Sequence, residues 1–160
     1  MNSDKELNSS IKRLIGLNIH SISVDETSLN INLLEKIRGE KIVINFDSGF
    51  CLTISTEDEP HFFGEGDLSL DLEKFNRNFL NIENPLWIEK IKLWYYRPTG
   101  FFSKKYLVQL EFYSIDKLMV SAGFFYQGID NMDFLSTGEL YISDVELKGE
   151  HKREFSFEVI

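Results

Sequence analysis

Alternating apolar and polar residues recur along most of the chain and predict a protein rich in β-strands. The clearest example is the segment 41–55, KIVINFDSGFCLTIS, in which apolar residues alternate on one face both before and after a short polar turn. The turn, DSG at 47–49, supplies a glycine for a left-handed backbone position. This segment is therefore predicted to form a β-hairpin.

Similar patterns predict further strands in the rest of the chain. Their approximate bounds are 17–24, 88–97, 106–113, 117–126, 139–147 and 155–159. Polar turns such as Ser114-Ile115-Asp116 separate several of them, which favours antiparallel neighbours. Residues 28–39 fit either a strand or a helical turn, and both interpretations stay open.

Helical spacing is found in two places. Near the start, Ser3 or Asp4 is a candidate cap, the apolar residues from Leu7 to Ile15 fall on one helical face, and Gly16 is suited to ending the helix. Residues 68–79 alternate like a strand at first and repeat like a helix later, and the poor strand propensity of Asp, Glu and Asn favours a short helix over 71–79. The predicted fold class is α+β: a single domain over residues 1–160, with a largely antiparallel sheet of about seven strands and one or two short helices.

Composition narrows the classes of function. The 160 residues carry a formal net charge of −9, so long-range electrostatics disfavour nucleic acid and anionic membranes as partners and favour cationic ones. The single cysteine excludes an intramolecular disulfide, and no apolar run is long enough for a signal peptide or a membrane span. These features predict a cytoplasmic protein.

The stretch 57–75, EDEPHFFGEGDLSLDLEKF, concentrates seven acidic side chains around aromatic residues and glycines. A calcium loop needs oxygen ligands at alternate positions, and Pro60 with the Phe62-Phe63 pair interrupts that spacing. Gly64 and Gly66 lack the third glycine of a dinucleotide loop and the Lys-Ser/Thr of a P-loop. The sequence therefore predicts neither a metal site nor a bound cofactor.

A protein partner suits this stretch better, because clustered carboxylates steer a cationic protein and aromatic side chains anchor an interface. The alternative is a solvated acidic loop whose phenylalanines turn inward. The residues predicted to bind the partner are Glu57, Asp58, Glu59, Phe62, Phe63, Glu65 and Asp67.

Two other patterns have simpler explanations than chemistry. Cys51 forms a formal Cys–His combination with His20, His61 or His151, but it fits a half-buried position on a hairpin strand, and no catalytic residue is predicted. The segment 90–105 mixes basic and aromatic residues, as in proteins that bind single-stranded nucleic acid. The negative net charge favours a strand whose aromatic residues fill the core, which leaves only the Phe101-Phe102 pair unexplained.

Four segments together carry a family resemblance. They are IVINFDSGFCLTI, the acidic stretch after it, LWYYRPTGFFSKKYLVQLEF and SAGFFYQGIDNMDFLSTGELYI. In these the chain resembles the small acidic immunity proteins of bacterial polymorphic-toxin and contact-dependent inhibition systems. The resemblance implies a non-catalytic inhibitor that occludes the active site of a cognate cationic toxin domain. The alternatives are a small-molecule-binding domain or enzyme, and a structural subunit that forms a homodimer through an edge strand.

Overall fold

A computed structural model describes residues 4–29, 37–56, 68–75, 87–96, 106–124, 140–144 and 155–160. These residues form one helix and eleven strands. In chain order they are α1 (Asp4–Lys12), β1 (Ile19–Val24), β2 (Thr27–Leu29), β3 (Ile37–Gly39), β4 (Lys41–Phe46), β5 (Phe50–Thr56), β6 (Leu68–Lys74), β7 (Lys90–Tyr96), β8 (Tyr106–Ser114), β9 (Lys117–Phe124), β10 (Leu140–Ser143) and β11 (Phe155–Val159).

The strands form two sheets in which every described pair is antiparallel. The five-stranded sheet has the order β2-β1-β4-β5-β6, and the six-stranded sheet has the order β11-β7-β8-β9-β10-β3. Tight turns join the hairpins. Gly49 has a φ of 85° in the turn between β4 and β5, and Ile115 and Asp116 have φ values of 50° and 55° between β8 and β9.

The core lies between the two sheets. Alternate residues of each sheet point inward, and the rings of Phe46 in β4 and Phe112 in β8 meet with their centroids 6.4 Å apart. Helix α1 adds Ile11 to the same core, and the turn after the helix adds Leu14; both are fully buried. Two bonds, from Gly16 N to Ile88 O at 2.8 Å and from Ile88 N to Leu17 O at 2.9 Å, connect the end of the helical region to the chain just before β7.

Several sequence predictions are confirmed. The described part of the chain is mostly antiparallel β, and residues 41–55 form the expected hairpin. The first helix begins at Asp4 as expected but ends at Lys12, and Leu14 and Ile15 lie in the turn that follows. The turn at Ser114–Asp116 also joins the two predicted strands. In place of one sheet of about seven strands, however, the described residues form two sheets with eleven strands.

The helix predicted over 71–79 is wrong where the structure describes it. Residues 68–74 are strand β6, paired with β5 from Phe50↔Lys74 to Thr56↔Leu68. Leu68 is buried, and Leu70 and Leu72 pack partly against the core, so pairing and burial override the poor strand propensity of the acidic residues. The rest of the predicted helix, 76–79, lies outside the described residues. In the ambiguous segment 28–39, the described ends belong to strands β2 and β3.

Candidate functional site

The predicted partner-binding residues all fall in the segment 57–67, which lies outside the described residues. His61, His151, Phe101 and Phe102 also lie outside the described residues. The structure does fix the two ends of the segment, because Thr56 at the end of β5 pairs with Leu68 at the start of β6. The acidic segment therefore joins the two outermost strands on one side of the five-stranded sheet.

Strand β6 carries the described part of the same acidic stretch. Leu70 and Leu72 face the core, so the alternating residues Asp71 and Glu73 point away from it, and both are exposed. Phe75, which follows the strand, is 48% exposed, and its N–H donates to Gly49 O at 2.8 Å. These side chains form what we call the acidic edge: Asp71, Glu73 and Phe75.

Cys51 lies beside the acidic edge, on the outer face of β5, where it pairs with Asn45 of β4 and Glu73 of β6. Burial raises the pKa of its thiol, and the carboxylates of Glu73 and Asp71 raise it further, against the lowering effects of a hydrogen bond with Thr53 and of the Lys41 charge. A raised thiol pKa reduces the thiolate fraction that a nucleophile needs. This environment is that of a half-buried structural cysteine.

The structure does not bring Cys51 and His20 together. His20 is in β1, and β4 lies between β1 and β5 in the sheet. Two strand spacings put their backbones about 10 Å apart, and the side chains that act on the Cys51 thiol are those of Thr53, Glu73, Asp71 and Lys41. The described residues therefore provide no support for a catalytic pair of Cys51 with His20.

The outer face of the six-stranded sheet is unlike that of the small one. It carries a group of polar and aromatic side chains that are buried. Alternation along the paired strands places them on the face that points away from the core between the sheets. We call this group the polar-aromatic cluster: Trp94 of β7, Gln109, Glu111 and Tyr113 of β8, Ser121 of β9, and Tyr141 and Ser143 of β10.

Glu111 is at the centre of the cluster and has no exposed surface. Its Oε1 accepts hydrogen bonds from Trp94 Nε1 and, at 3.1 Å, from the hydroxyl of Tyr113. Gln109 Nε2 donates to Ser121 Oγ in the neighbouring strand. Since a buried carboxylate is costly unless it is hydrogen-bonded, these donors hold Glu111 in place.

Tyr141 extends the cluster toward β10, where it pairs with Gly123 of β9. Burial raises the pKa of its phenol strongly, and the Glu111 charge adds to this, while hydrogen bonds with Ser121 and Gln109 act in the opposite direction. Tyr141 therefore stays neutral at physiological pH. At Gly123 an added Cβ would come within 2.3 Å of Val108 O, so the backbones of β8 and β9 approach too closely here for any side chain.

On the β11 side, the cluster borders the half-buried Lys92 and the exposed Phe157. The ammonium of Lys92 lies 5.0 Å from the ring centroid of Tyr113 and 4.8 Å from that of Phe157, which favours a cation–π interaction with both rings. The rings of Trp94 and Phe157 are in contact, with centroids 4.8 Å apart and their planes tilted by 47°. The basic-aromatic pattern at the start of 90–105 thus belongs to a strand whose rings contact one another, while 97–105 lies outside the described residues.

Sequence reasoning missed the polar-aromatic cluster. In YLVQLEFYS the residues Gln109, Glu111 and Tyr113 alternate with apolar ones, which is also the pattern of a solvent-facing strand surface. The available signal was the size of the outward residues on neighbouring strands, since Trp94 and Tyr141 are unusually bulky for an exposed sheet face. Only the structure shows that this face is buried.

In the part of the chain that the structure describes, no three His, Cys, Asp or Glu residues are grouped so as to hold a metal ion. No helix there has the length and apolar character needed to cross a membrane. Comparisons with protein-family models, with curated proteins and with solved structures found no match.

Proposed function

We propose that this chain is a non-catalytic protein-binding inhibitor, an immunity protein that neutralises a cationic bacterial toxin in the cytoplasm by occluding its active site. The observation that carries the proposal is the acidic edge, where Asp71 and Glu73 are exposed on β6, one of the two outer strands among the described residues of the five-stranded sheet. The five other acidic residues of the stretch lie between β5 and β6 in the sequence. Seven carboxylates are therefore concentrated along a short part of the chain.

The strand gives this charge a defined geometry. Asp71 and Glu73 are two residues apart, so they lie about 7 Å apart along the same face of β6. Pairing with β5 along the whole strand holds this spacing. A rigid row of carboxylates suits a basic active site that normally binds an anionic substrate, such as that of a nuclease.

Phe75 adds an apolar contact at the end of this row. The residue is 48% exposed, and aromatic side chains are enriched at protein interfaces relative to the rest of the surface. Carboxylates would then supply steering and register, while the aromatic side chain supplies desolvated contact area. Inhibition by this surface needs no bond to be made or broken.

The test is affinity capture with the whole chain, followed by titration of the captured protein, or of the product of the adjacent gene, at low and moderate salt. We expect one basic protein whose affinity falls as salt rises. A Glu57→Lys, Asp58→Lys, Glu59→Lys variant and an Asp71→Lys, Glu73→Lys variant should each bind roughly tenfold more weakly or worse, mainly through a slower association rate.

The matched control reverses charge elsewhere on the surface. Glu40 and Asp144 are exposed acidic residues outside the acidic edge, and Glu40→Lys, Asp144→Lys changes the net charge as much as the β6 double variant does. It should bind with nearly unchanged affinity. Equal losses in both double variants would mean that only net charge matters, and unchanged affinity in the β6 variant would remove the acidic edge from the interface.

A second candidate function is small-molecule binding at the polar-aromatic cluster. The buried Glu111 carboxylate, with its indole and phenol donors, is an arrangement found in ligand sites, which combine apolar walls with a few fixed polar groups. A thermal-shift screen of metabolites and metals tests this candidate. A reproducible rise in midpoint that is lost in Tyr141→Phe would support it, since binding to the folded state stabilises that state.

A further inference from the structure

Among the described residues, β11 and β3 are the two outer strands of the six-stranded sheet, and β11 is the longer one. Its outward-facing side chains Phe157 and Val159 are 48% and 55% exposed, although both are apolar. Exposed apolar residues on an edge strand favour pairing with another strand, and proteins usually protect such edges with charge or proline. The outward residues that the structure describes on β11 carry neither.

The hydrogen-bond phase of β11 shows which backbone groups face the edge. Ile160 N donates to Ile91 O at 2.9 Å and Ile91 N donates to Ile160 O at 3.5 Å, so these two residues form a hydrogen-bonded pair. Such pairs alternate along an antiparallel ladder, and the register Val159↔Lys92 and Glu158↔Leu93 is regular. The N–H and C=O groups of Phe155, Phe157 and Val159 therefore point away from β7.

Charge distinguishes β6 from β11, the longer of the two outer strands in each sheet, as a site for pairing with a second copy. An antiparallel pair of two β6 strands places Asp71 opposite Asp71 or Glu73 of the other copy, and like charges directly opposite each other are destabilising. A two-fold axis at Phe157 of β11 instead pairs Phe157 with its own copy and Ser156 with Glu158. No like-charged pair arises, and the outward backbone groups of both strands meet in register.

We propose that two copies of this chain associate through β11, which pairs antiparallel with its own copy and joins the two six-stranded sheets into one. The contact is isologous, with Phe157 rings adjacent on the outer face. This inference does not depend on the proposed toxin partner. A five-residue strand buries less than a standard interface of about 1,600 Å², so the dimer is expected to be weak and reversible.

Sedimentation equilibrium of the whole chain, from about 5 to about 200 µM, measures this association directly. The mass should rise with concentration from the monomer value of 18.7 kDa toward twice that value. A single species of monomer mass over the whole range would overturn the proposal.

Val159→Pro is the decisive variant. It removes an N–H that points to the edge while leaving the bonds to β7 intact, and proline is tolerated at such edge positions. We expect it to stay monomeric with a circular dichroism spectrum like that of the wild-type chain. Val159→Lys places a charge at the same contact without altering the backbone. It tests the same contact if the proline variant does not fold. A folded variant of either kind that dimerises like the wild-type chain would overturn the inference.

Salt separates this proposal from the proposed function. The dimer joins two chains of like net charge, so added salt should leave it unchanged or strengthen it, whereas binding of a cationic protein should weaken. The Asp71→Lys, Glu73→Lys variant should dimerise like the wild-type chain. Loss of dimerisation in that variant would mean that β6, and not β11, forms the contact.

Discussion

The outer faces of the two sheets both point away from the core, but they differ in whether their polar side chains are exposed to solvent. On the five-stranded sheet, β5 and β6 present Cys51, Asp71 and Glu73, which are half-buried or exposed. On the six-stranded sheet, the polar-aromatic cluster places Glu111 and Gln109 where neither has exposed surface. One carboxylate-bearing face is open to solvent, and the other is enclosed.

This difference has an energetic consequence. An exposed carboxylate such as that of Asp71 keeps its hydration, and its removal changes stability little. The enclosed Glu111 has exchanged water for the Trp94 and Tyr113 donors, so its removal leaves buried donors without their acceptor. Carboxylates on the first face are free to bind a partner, whereas a carboxylate on the second is held in place by the fold.

The largest expected effect is on stability. Glu111→Ala should lower the free energy of unfolding by about 3 kcal/mol, because it leaves buried donors unsatisfied and opens a cavity. Urea denaturation followed by circular dichroism measures the change. Asp71→Ala is the control on the other face and should change stability by less than about 0.5 kcal/mol. Similar values for both variants would break the distinction between the two faces.

The next effect depends on pH. The pKa of Tyr141 is raised above that of an unfolded tyrosine, about 10. Below pH 10 the phenol is neutral in both states and the stabilisation is fully present. As pH rises above 10, the unfolded state loses the proton first, and stability falls by about 1.4 kcal/mol per pH unit until the folded pKa is reached. Tyr141→Phe removes this contribution. The difference in the free energy of unfolding between the wild-type chain and this variant, measured by urea titration, should therefore fall by about 1.4 kcal/mol per pH unit above pH 10. A difference that does not change with pH would mean that the phenol is solvated.

Local patterns predicted those parts of the fold that depend on neighbouring residues. The hairpin at 41–55 combines strict alternation of apolar and polar residues with a glycine that takes a φ of 85°. Its turn and both strands could therefore be predicted from the sequence. The same holds for α1 and the turn that follows it, where the buried Ile11 and Leu14 repeat at helical spacing. Both elements are specified by residues close together in the chain.

Long-range contacts decided the rest. Residues 68–74 carry a mixed pattern, and the pairing of Leu68 with Thr56 and of Lys74 with Phe50 determines that they form a strand. The division into two sheets follows from which strands pair, and alternation does not encode that choice. Likewise, the sequence contains Glu111 and Asp71 in similar alternating contexts, and only the fold distinguishes the enclosed one from the exposed one.

The smallest expected effect concerns the open face. Burial is the main reason why the pKa of Cys51 is raised, and the Glu73 carboxylate across the strand pair contributes less. Glu73→Gln should therefore speed alkylation of Cys51 by iodoacetamide at pH 7.5 by roughly two-fold at low salt, and the difference should shrink as salt screens the charge. Glu40→Gln, a change of the same charge in the loop between β3 and β4, should leave the rate unchanged. An alkylation rate that does not change in Glu73→Gln would mean that the Glu73 carboxylate has no effect on the reactivity of the Cys51 thiol. The carboxylates of this face would then act only on a binding partner.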